Sequence, residues 1–516
     1  MPNPQEPTVD FINIAIVVVY LLAMLAFGWW GKSRTKNNSD FLVAGRRLGP
    51  MLYTGTMAAV VLGGASTVGG VGLGYKFGLS GMWLVVAIGS GVLLLSLLFA
   101  GTIQRLKIYT VSQMLSLRYG QRATQTSGIV MLAYTLMLCA TSTGAYATIF
   151  VVLFGWERWL AIAVGGAIVL VYSTIGGMWS ITLADQVQFI IKTVGIFFLM
   201  LPFALNAAGG FDGIRARVDA SFFQLDGIGL QTIITYFVVY TLGLLIGQDI
   251  WQRVFTAKTP KVARWGGTTA GLYCILYGIA GALIGLAARV ALPNIDVKSL
   301  GKDVVYAEVA THILPIGIGG LVMAAAVAAM MSTASGALIA AATVARADVV
   351  PFVASWFGKT VTTDDSTNPE HDVKANRYWV LGLGVLAVLI SMAAQDVVVA
   401  LTIAYDILVG GLLVAILGGL VWKRGTGIAA AWSMAVGSVL TLALLIAYAT
   451  GAIPSEDGVY ANEPIYYGLG ASLLVYIVLS LLTRPTEPAV REAWDRRVAG
   501  ATTEELPLDA HPVATH

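Results

Sequence analysis

The stretch VVLGGASTVGGVGLG, residues 60–74, places six glycines, Ser66 and Thr67 inside an apolar run that is long enough to cross a membrane. Glycine costs a helix about 1 kcal/mol relative to alanine, so this density disfavours an unbroken helix. Two interpretations are open: the glycines allow close helix packing, or they mark a point where the helix opens. An opened helix would offer carbonyl oxygens to a hard cation and a helix N-terminus to an anion.

The composition around this stretch is that of a polytopic membrane protein. The 516 residues are 57% hydrophobic and only 11% charged, whereas soluble domains carry about 25% charged residues. The net charge of +3 is small and gives no indication of a nucleic-acid partner. Apolar runs of about 20 residues predict an all-α fold. The thirteen predicted spans are 9–31, 51–79, 81–104, 124–153, 158–177, 184–208, 230–248, 266–291, 315–346, 377–394, 398–422, 427–450 and 463–483.

These spans form one predicted transmembrane domain over residues 9–483, followed by a polar tail, 484–516, that we expect to be disordered and cytoplasmic. With the N-terminus outside, 23 of the 31 Lys and Arg residues fall in inner loops, Arg253 among them. Seven fall in outer loops, and Lys192 lies within a span. The positive-inside rule therefore predicts an outer N-terminus and a cytoplasmic C-terminus in the cell membrane.

The ninth predicted span carries polar side chains on an alanine-rich surface. It reads LVMAAAVAAMMSTASGALIAAATVARAD, residues 321–348. Ala329 and Thr333 are four residues apart and share a helix face, with Ser332 adjacent. Serine and threonine in helices usually bond back to the carbonyl four residues earlier, which is one interpretation of this pattern. The other is a set of oxygen ligands for Na⁺.

Five motifs make the chain resemble the sodium:solute symporter family. They are GGASTVGGVGLGYKFG at 63–78, YTVSQMLSLRYG at 109–120, YSTIGGMWSITLADQVQ at 172–188, GQDIWQRVFTAK at 247–258 and AAMMSTASGALIAAATVARAD at 328–348. The resemblance implies a leucine-transporter-type fold with two inverted repeats of five helices, about 51–208 and 230–422. It also implies two discontinuous helices, broken near 62–67 and near 243–247.

The resemblance further implies where ions and solute bind. The acid that lies near the sodium exit in the family corresponds to Asp185. Some members build a further sodium site on that acid and three serines, but here Gly336 replaces one hydroxyl. The common sodium site corresponds to the carbonyls of Ala59, Leu62 and Ala329 and the hydroxyls of Ser332 and Thr333. The candidate solute-binding residues are Ser66, Thr67, Lys192 and Gln248.

The expected function is Na⁺-driven symport of a small organic solute across the lipid bilayer by alternating access, and not an enzymatic one. The positions that hold sugar hydroxyls in the family are here Val61, Gly63, Ala65 and Ser66, so a monocarboxylate-like or amino-acid-like solute is favoured. A membrane sensor or enzyme is a remote alternative, because all four histidines lie outside the predicted spans.

Lys192, in QFIIKTVG, is the lysine within a span, seven residues after Asp185. A charge at this depth must face protein or water. Three roles are open: a structural ion pair, a counter-ion for a carboxylate solute, or a fixed charge in place of a sodium ion. The last of these gives a proton-coupled or uncoupled transporter of the same fold. Asp406, the acid in TIAYDILVGG, is expected to be structural.

Overall fold

The computed structural model of the protein describes residues 11–120, 124–297, 301–359, 369–393, 403–454, 462–502 and 504–508. Within these residues the regular structure is helical, apart from an isolated bridge between Leu48 and Ala257. In chain order the α-helices are α1 (Phe11–Lys32), α2 (Asn38–Val43), α3 (Pro50–Val61), α4 (Gly64–Phe77), α5 (Trp83–Leu98), α6 (Ala100–Arg105), α7 (Val111–Tyr119), α8 (Thr124–Phe154), α9 (Arg158–Thr193), α10 (Leu201–Ala207), α11 (Gly210–Arg215), α12 (Leu230–Tyr236), α13 (Leu242–Ile246), α14 (Gln248–Thr256), α15 (Pro260–Ala291), α16 (Val304–His312), α17 (Ile318–Val344), α18 (Val350–Trp356), α19 (Pro369–Ala393), α20 (Ile403–Val421), α21 (Gly427–Ala449), α22 (Glu463–Leu482) and α23 (Pro488–Val498).

The all-α architecture is as predicted, but the count of thirteen spans is not confirmed. Among the described residues, ten helical runs are long and apolar enough to cross a membrane, and one bent pair would make eleven. Two of these runs, Gly64–Leu98 and Arg158–Ala207, are 35 and 50 residues long. Since a span needs about 20 residues, each run has room for more than one crossing. Each also contains a glycine in the left-handed region, Gly78 and Gly177.

The predicted break in the glycine-rich span is confirmed at two residues. Helix α3 ends at Val61, and α4 begins at Gly64. Between them Leu62 (φ −89°, ψ 75°) and Gly63 (φ −85°, ψ −157°) leave the helical conformation. A close approach accounts for the glycine at 63, because a Cβ there would lie 2.7 Å from the Thr333 hydroxyl oxygen. The opening is therefore shorter than the predicted 62–67.

The second predicted break is confirmed at Gly247. Residues Leu230–Ile246 and Gln248–Thr256 form a helix pair bent by 46° at this glycine, whose ψ of 131° is extended. The chain remains helical beyond the bend, so α14 continues into the protein interior. Arg253 on this helix is fully buried. It therefore lies in a buried helix and not in a loop, because the apolar run ends where the bend begins but the helix continues. Its place on the inner side of the membrane stays a prediction.

Helix α17 forms the centre of the molecule. The apolar window of its run is completely buried, whereas α1 and α22 bury 28% of theirs. It packs against α8, α9 and α1, while α15 packs against α3, α4 and α5. The alanines of α17 permit these close approaches, which place its hydroxyls against the break between α3 and α4.

The expectation of a disordered tail is wrong for its described residues, 484–502 and 504–508. Residues Pro488–Val498 form α23, in which Trp494 is buried. Further on, Leu508 is fully buried, and Glu505 lies 2.5 Å from the guanidinium of Arg46. The buried side chains of Trp494 and Leu508 and the ion pair of Glu505 hold this segment against the protein, although the average composition of the tail is polar.

Candidate functional site

Asp185 on α9 joins four helices through its buried carboxylate. Oδ1 accepts a hydrogen bond from the Ser332 hydroxyl of α17 at 2.6 Å. Oδ2 forms an ion pair with the Arg253 guanidinium of α14 at 3.1 Å and also accepts a hydrogen bond from Thr56 of α3. Both side chains of the ion pair are fully buried. The predicted ion-pathway acid therefore faces a fixed cation, Arg253, in this conformation.

Gly336 lies against the side chains of Val60 and Arg253. A Cβ at position 336 would lie 2.5 Å from Cγ2 of Val60 and 3.0 Å from one terminal nitrogen of Arg253. The resemblance marked this glycine as a lost sodium ligand, and the structure shows what lies against it. Sequence reasoning missed the role of Arg253. The available signal was that an aspartate buried in a membrane span needs a cationic partner.

Lys192 directs its ammonium to the break of the glycine-rich span. Its Nζ donates to the carbonyl oxygen of Ala59 at 2.8 Å and to that of Leu62 at 3.2 Å. Lys192 is fully buried. Within the described part of the chain, no carboxylate lies within 4.0 Å of Nζ, so the structural ion pair, one of the three open roles of Lys192, is not formed with Asp185. Two of the five predicted sodium ligands thus bind an ammonium group.

The other three predicted ligands lie on α17. The Thr333 hydroxyl donates to the carbonyl of Val60 at 2.8 Å and lies 3.4 Å from the carbonyl of Ala329. The Ser332 hydroxyl is directed to Asp185. The structure brings Thr333 and the opened segment of α3 together, as the ligand set requires. Coordination of Na⁺ by these five residues stays a prediction.

The candidate solute-binding residues do not form one cluster of available polar groups. Ser66 and Thr67 are buried at the start of α4, and Thr67 accepts a hydrogen bond from Tyr277 at 3.1 Å. Gln248 is fully buried, accepts from the backbone N–H of Val111 and donates to the carbonyl of Tyr109, each at 2.8 Å. Because the oxygen and the nitrogen of its amide both hydrogen-bond to backbone, Gln248 links the segment at Tyr109 and Val111 to α14. Its assignment to the solute is therefore not supported.

Two small residues at the break have exposed surface. Gly64 is partly exposed and Ala65 is exposed, although residues 66–75 that follow in α4 are all buried. A Cβ at Gly64 would lie 3.1 Å from both Ala145 of α8 and Met330 of α17. The exposed N-terminal turn of α4 therefore lies beside apolar side chains of α8 and α17, and it carries the N–H groups that the first turn of a helix leaves without an intrahelical partner.

A second polar cluster, not predicted from the sequence, lies at the other broken helix. The hydroxyl of Tyr134 lies 3.2 Å from a carboxylate oxygen of Asp249 and 3.1 Å from the hydroxyl of Tyr405. Asp249 occupies the first turn of α14, and the ring of Tyr240 lies 5.7 Å from that of Tyr405. Asp406, beside Tyr405, is buried, and its expected structural role stays a prediction.

The model of the sodium:solute symporter family matches residues 41–437. The chain belongs to this family. The osmoregulated proline transporter OpuE of Bacillus subtilis (strain 168) is 26% identical over 504 residues, covering 93% of this chain and 97% of the relative. A sodium/proline symporter of Staphylococcus aureus (strain JH9) is 22% identical, covering 93% and 94%.

One solved structure has the same fold over most of the chain. The substrate-bound, outward-open state of a Na⁺-coupled sialic acid symporter superposes with a TM-score of 0.79 at 18% identity, over 92% of this chain and 98% of that one. The leucine-transporter-type fold is thereby confirmed. As a member of the sodium:solute symporter family, this multi-pass membrane protein is a transporter of a small organic solute rather than an enzyme, with Na⁺ as its coupling ion.

Proposed function

We propose that this sodium:solute symporter takes up a small carboxylate-bearing solute, monocarboxylate-like or amino-acid-like, at the exposed N-terminal turn of α4, beside α8 and α17. The observation that carries the proposal is the break at Leu62 and Gly63, where the positive end of α4 and the Lys192 ammonium lie together. A carboxylate is favoured by both features. A sugar would find few hydrogen-bonding side chains there, because Gly64, Ala65, Ala145 and Met330 supply none.

The names of the relatives support the amino-acid-like class. Both are named as proline transporters, one of them as a sodium/proline symporter. Proline is a small solute with a carboxylate and no side-chain hydroxyl, so it suits a helix N-terminus bordered by apolar residues. We therefore place proline first among the amino-acid-like candidates and short monocarboxylates beside it.

We further propose that inward movement of Na⁺ drives uptake by alternating access, with inverted repeats at about 51–208 and 230–422. The two breaks, at Leu62–Gly63 and at Gly247, support this division because each lies in the first long span of its repeat. The excess of Lys and Arg in one set of loops supports an outer N-terminus and a cytoplasmic C-terminus.

A proton-coupled or uncoupled mechanism is the second candidate. The observation that favours it is the Lys192 ammonium on two predicted sodium ligands. Purified protein in liposomes separates the two candidates, with radiolabelled L-proline, pyruvate and glucose offered under an imposed Na⁺ gradient. We expect uptake of a carboxylate solute that requires the gradient, stops when choline replaces Na⁺ and resists a proton ionophore. Uptake that persists in choline would favour the second candidate, in its proton-coupled form if the ionophore abolishes the uptake and in its uncoupled form if it does not.

A further inference from the structure

The ammonium of Lys192 occupies an oxygen environment of the kind that a sodium ion takes. A protonated lysine offers three N–H donors and accepts nothing, so it needs oxygen atoms around it. Two are the carbonyls of Ala59 and Leu62, at 2.8 and 3.2 Å. These carbonyls are available because α3 ends at Val61 and the N–H groups of the next turn do not continue its ladder. The carbonyl oxygens left free at the break therefore accept hydrogen bonds from a lysine of α9.

The charge of Lys192 is compensated chiefly by the dipoles of these two carbonyl groups. The residue is completely buried, and the nearby acid Asp185 pairs with Arg253. Within the described residues no carboxylate approaches Nζ to 4.0 Å. Cys274 of α15 is the other titratable neighbour and is also fully buried. A second cation at the same two oxygens would meet an unscreened like charge in a medium of low polarity.

We infer that the Lys192 ammonium and Na⁺ exclude one another at the carbonyl oxygens of Ala59 and Leu62, so that Lys192 is a tethered competitor of the coupling ion. Na⁺ reaches these oxygens only when the lysine side chain has turned away. The inference rests on the proposed function only in taking Na⁺ as the ion. The inference adds the Lys192 ammonium to the groups that bind the opened segment. The family's sodium site does not include such a group.

The test is Na⁺ binding to the purified, solute-free protein, followed as the rise in unfolding temperature when NaCl replaces choline chloride at constant ionic strength. Lys192→Met keeps the side-chain length and removes the charge. We expect its half-saturating Na⁺ concentration to be about tenfold lower than that of the wild type, a usual size for coupling between two ligands. Lys192→Arg keeps the charge and should behave as the wild type does.

Lys76→Met is the matched control, because Lys76 is an exposed lysine on the same broken span. It should leave the Na⁺ response unchanged. A Lys192→Met response equal to or weaker than that of the wild type would overturn the inference. Should the variant unfold in choline, its recovery as folded protein in NaCl supports the inference, and failure to fold in both salts overturns it.

The assay uses neither a solute nor a gradient, so its outcome is separable from that of the transport experiment. Uptake that does not depend on a Na⁺ gradient would contradict the proposed function. A stronger Na⁺-dependent rise in unfolding temperature in Lys192→Met would still support the mutual exclusion of Lys192 and Na⁺. Conversely, Na⁺-driven uptake together with an unchanged response in the variant would retain the proposed function and remove Lys192 from the ion site.

Discussion

At the scale of single residues, the buried charges determine how the helices around the break are held. Asp185 and Arg253 form an ion pair with no exposed surface, and Asp185 also accepts hydrogen bonds from α3 and α17. Removing one partner of such a pair leaves an uncompensated charge, whereas replacing both can be nearly neutral. Its contribution is therefore measured better by a double-mutant cycle than by one substitution.

We predict that Asp185→Asn lowers the free energy of unfolding by about 3–5 kcal/mol, because the guanidinium of Arg253 stays buried without its carboxylate. Arg253→Met should cost a similar amount. The double variant should recover part of the loss, since neither charge remains. Thermal unfolding of the four proteins in detergent measures the cycle, and additive losses would show that the two residues do not act as a pair.

The hydroxyls of α17 give a second prediction at this scale. Ser332→Ala and Thr333→Ala should raise the Na⁺ concentration needed for half-maximal uptake several-fold. Stability should fall by about 1–2 kcal/mol, because each removes one buried hydrogen bond. Ser335→Ala is the control: Ser335 is buried on the same helix, but its hydroxyl bonds the carbonyl of Ser332. Unchanged Na⁺ dependence in both variants would exclude these hydroxyls from the ion site.

At the scale of elements, the break between α3 and α4 depends on the absence of a side chain at Gly63. Gly63 has a negative φ, so a side chain would be strained by its neighbours rather than by its own backbone. We predict that Gly63→Ala destabilises the protein by about 1–3 kcal/mol and slows uptake, because its Cβ would lie 2.7 Å from the Thr333 oxygen.

Gly382→Ala is the matched control for this prediction. Gly382 lies within α19, and a Cβ there would meet no atom within 4 Å. Alanine also favours helix, so this variant should be as stable as the wild type or slightly more so. Equal behaviour of the two variants in unfolding and uptake would show that the contact between Gly63 and Thr333 does not restrict the opened segment.

The elements were more accessible to sequence reasoning than the contacts between them. Glycine density offered the break at Leu62 and Gly63 as one of two interpretations, and the resemblance predicted both this break and the one at Gly247. Both breaks could be predicted because each lies within a short local motif of the chain. The bond from Lys192 to Ala59 joins residues 133 positions apart, so no local pattern contains it. The burial of Arg253 was missed for a related reason: the bend that turns α14 inward depends on tertiary packing.

At the scale of the whole molecule, the C-terminal segment contacts loops far away in the sequence. Glu505 accepts hydrogen bonds from Ser39, Arg46 and Tyr109, and Leu506 donates to the carbonyl of Lys107. The amide of Gln113 donates to the carbonyls of Pro507 and Leu508. These contacts bring residues 505–508 to the same region as α2, α6 and α7, and the carboxylate of Glu505, whose side chain is 35% exposed, accepts three of them.

The charge of Glu505 makes this docking dependent on pH. Burial alone would raise its pKa, but the positive charge of Arg46 and hydrogen bonds from Tyr109, Arg46 and Ser39 outweigh burial, and the pKa is lowered below its ordinary value of 4.5. A carboxyl group with a lowered pKa in the folded state stabilises that state fully above its ordinary pKa, and the contribution is lost as the pH falls through the lowered value. Docking should therefore be complete at neutral pH and weaken as the pH falls below the ordinary value of 4.5.

We predict that Glu505→Gln reduces the hydrogen-exchange protection of residues 488–508 at pH 7, because the amide keeps the shape of the side chain but loses the charge that Arg46 faces. On acidification the wild type should approach the variant, once exchange rates are corrected for their intrinsic dependence on pH. Glu504→Gln is the control, since it removes one charge from the neighbouring exposed glutamate and keeps the backbone carbonyl that accepts a hydrogen bond from Arg497. Protection that is equal in wild type and Glu505→Gln at pH 7 would show that apolar burial of Trp494 and Leu508 holds the segment without the ion pair.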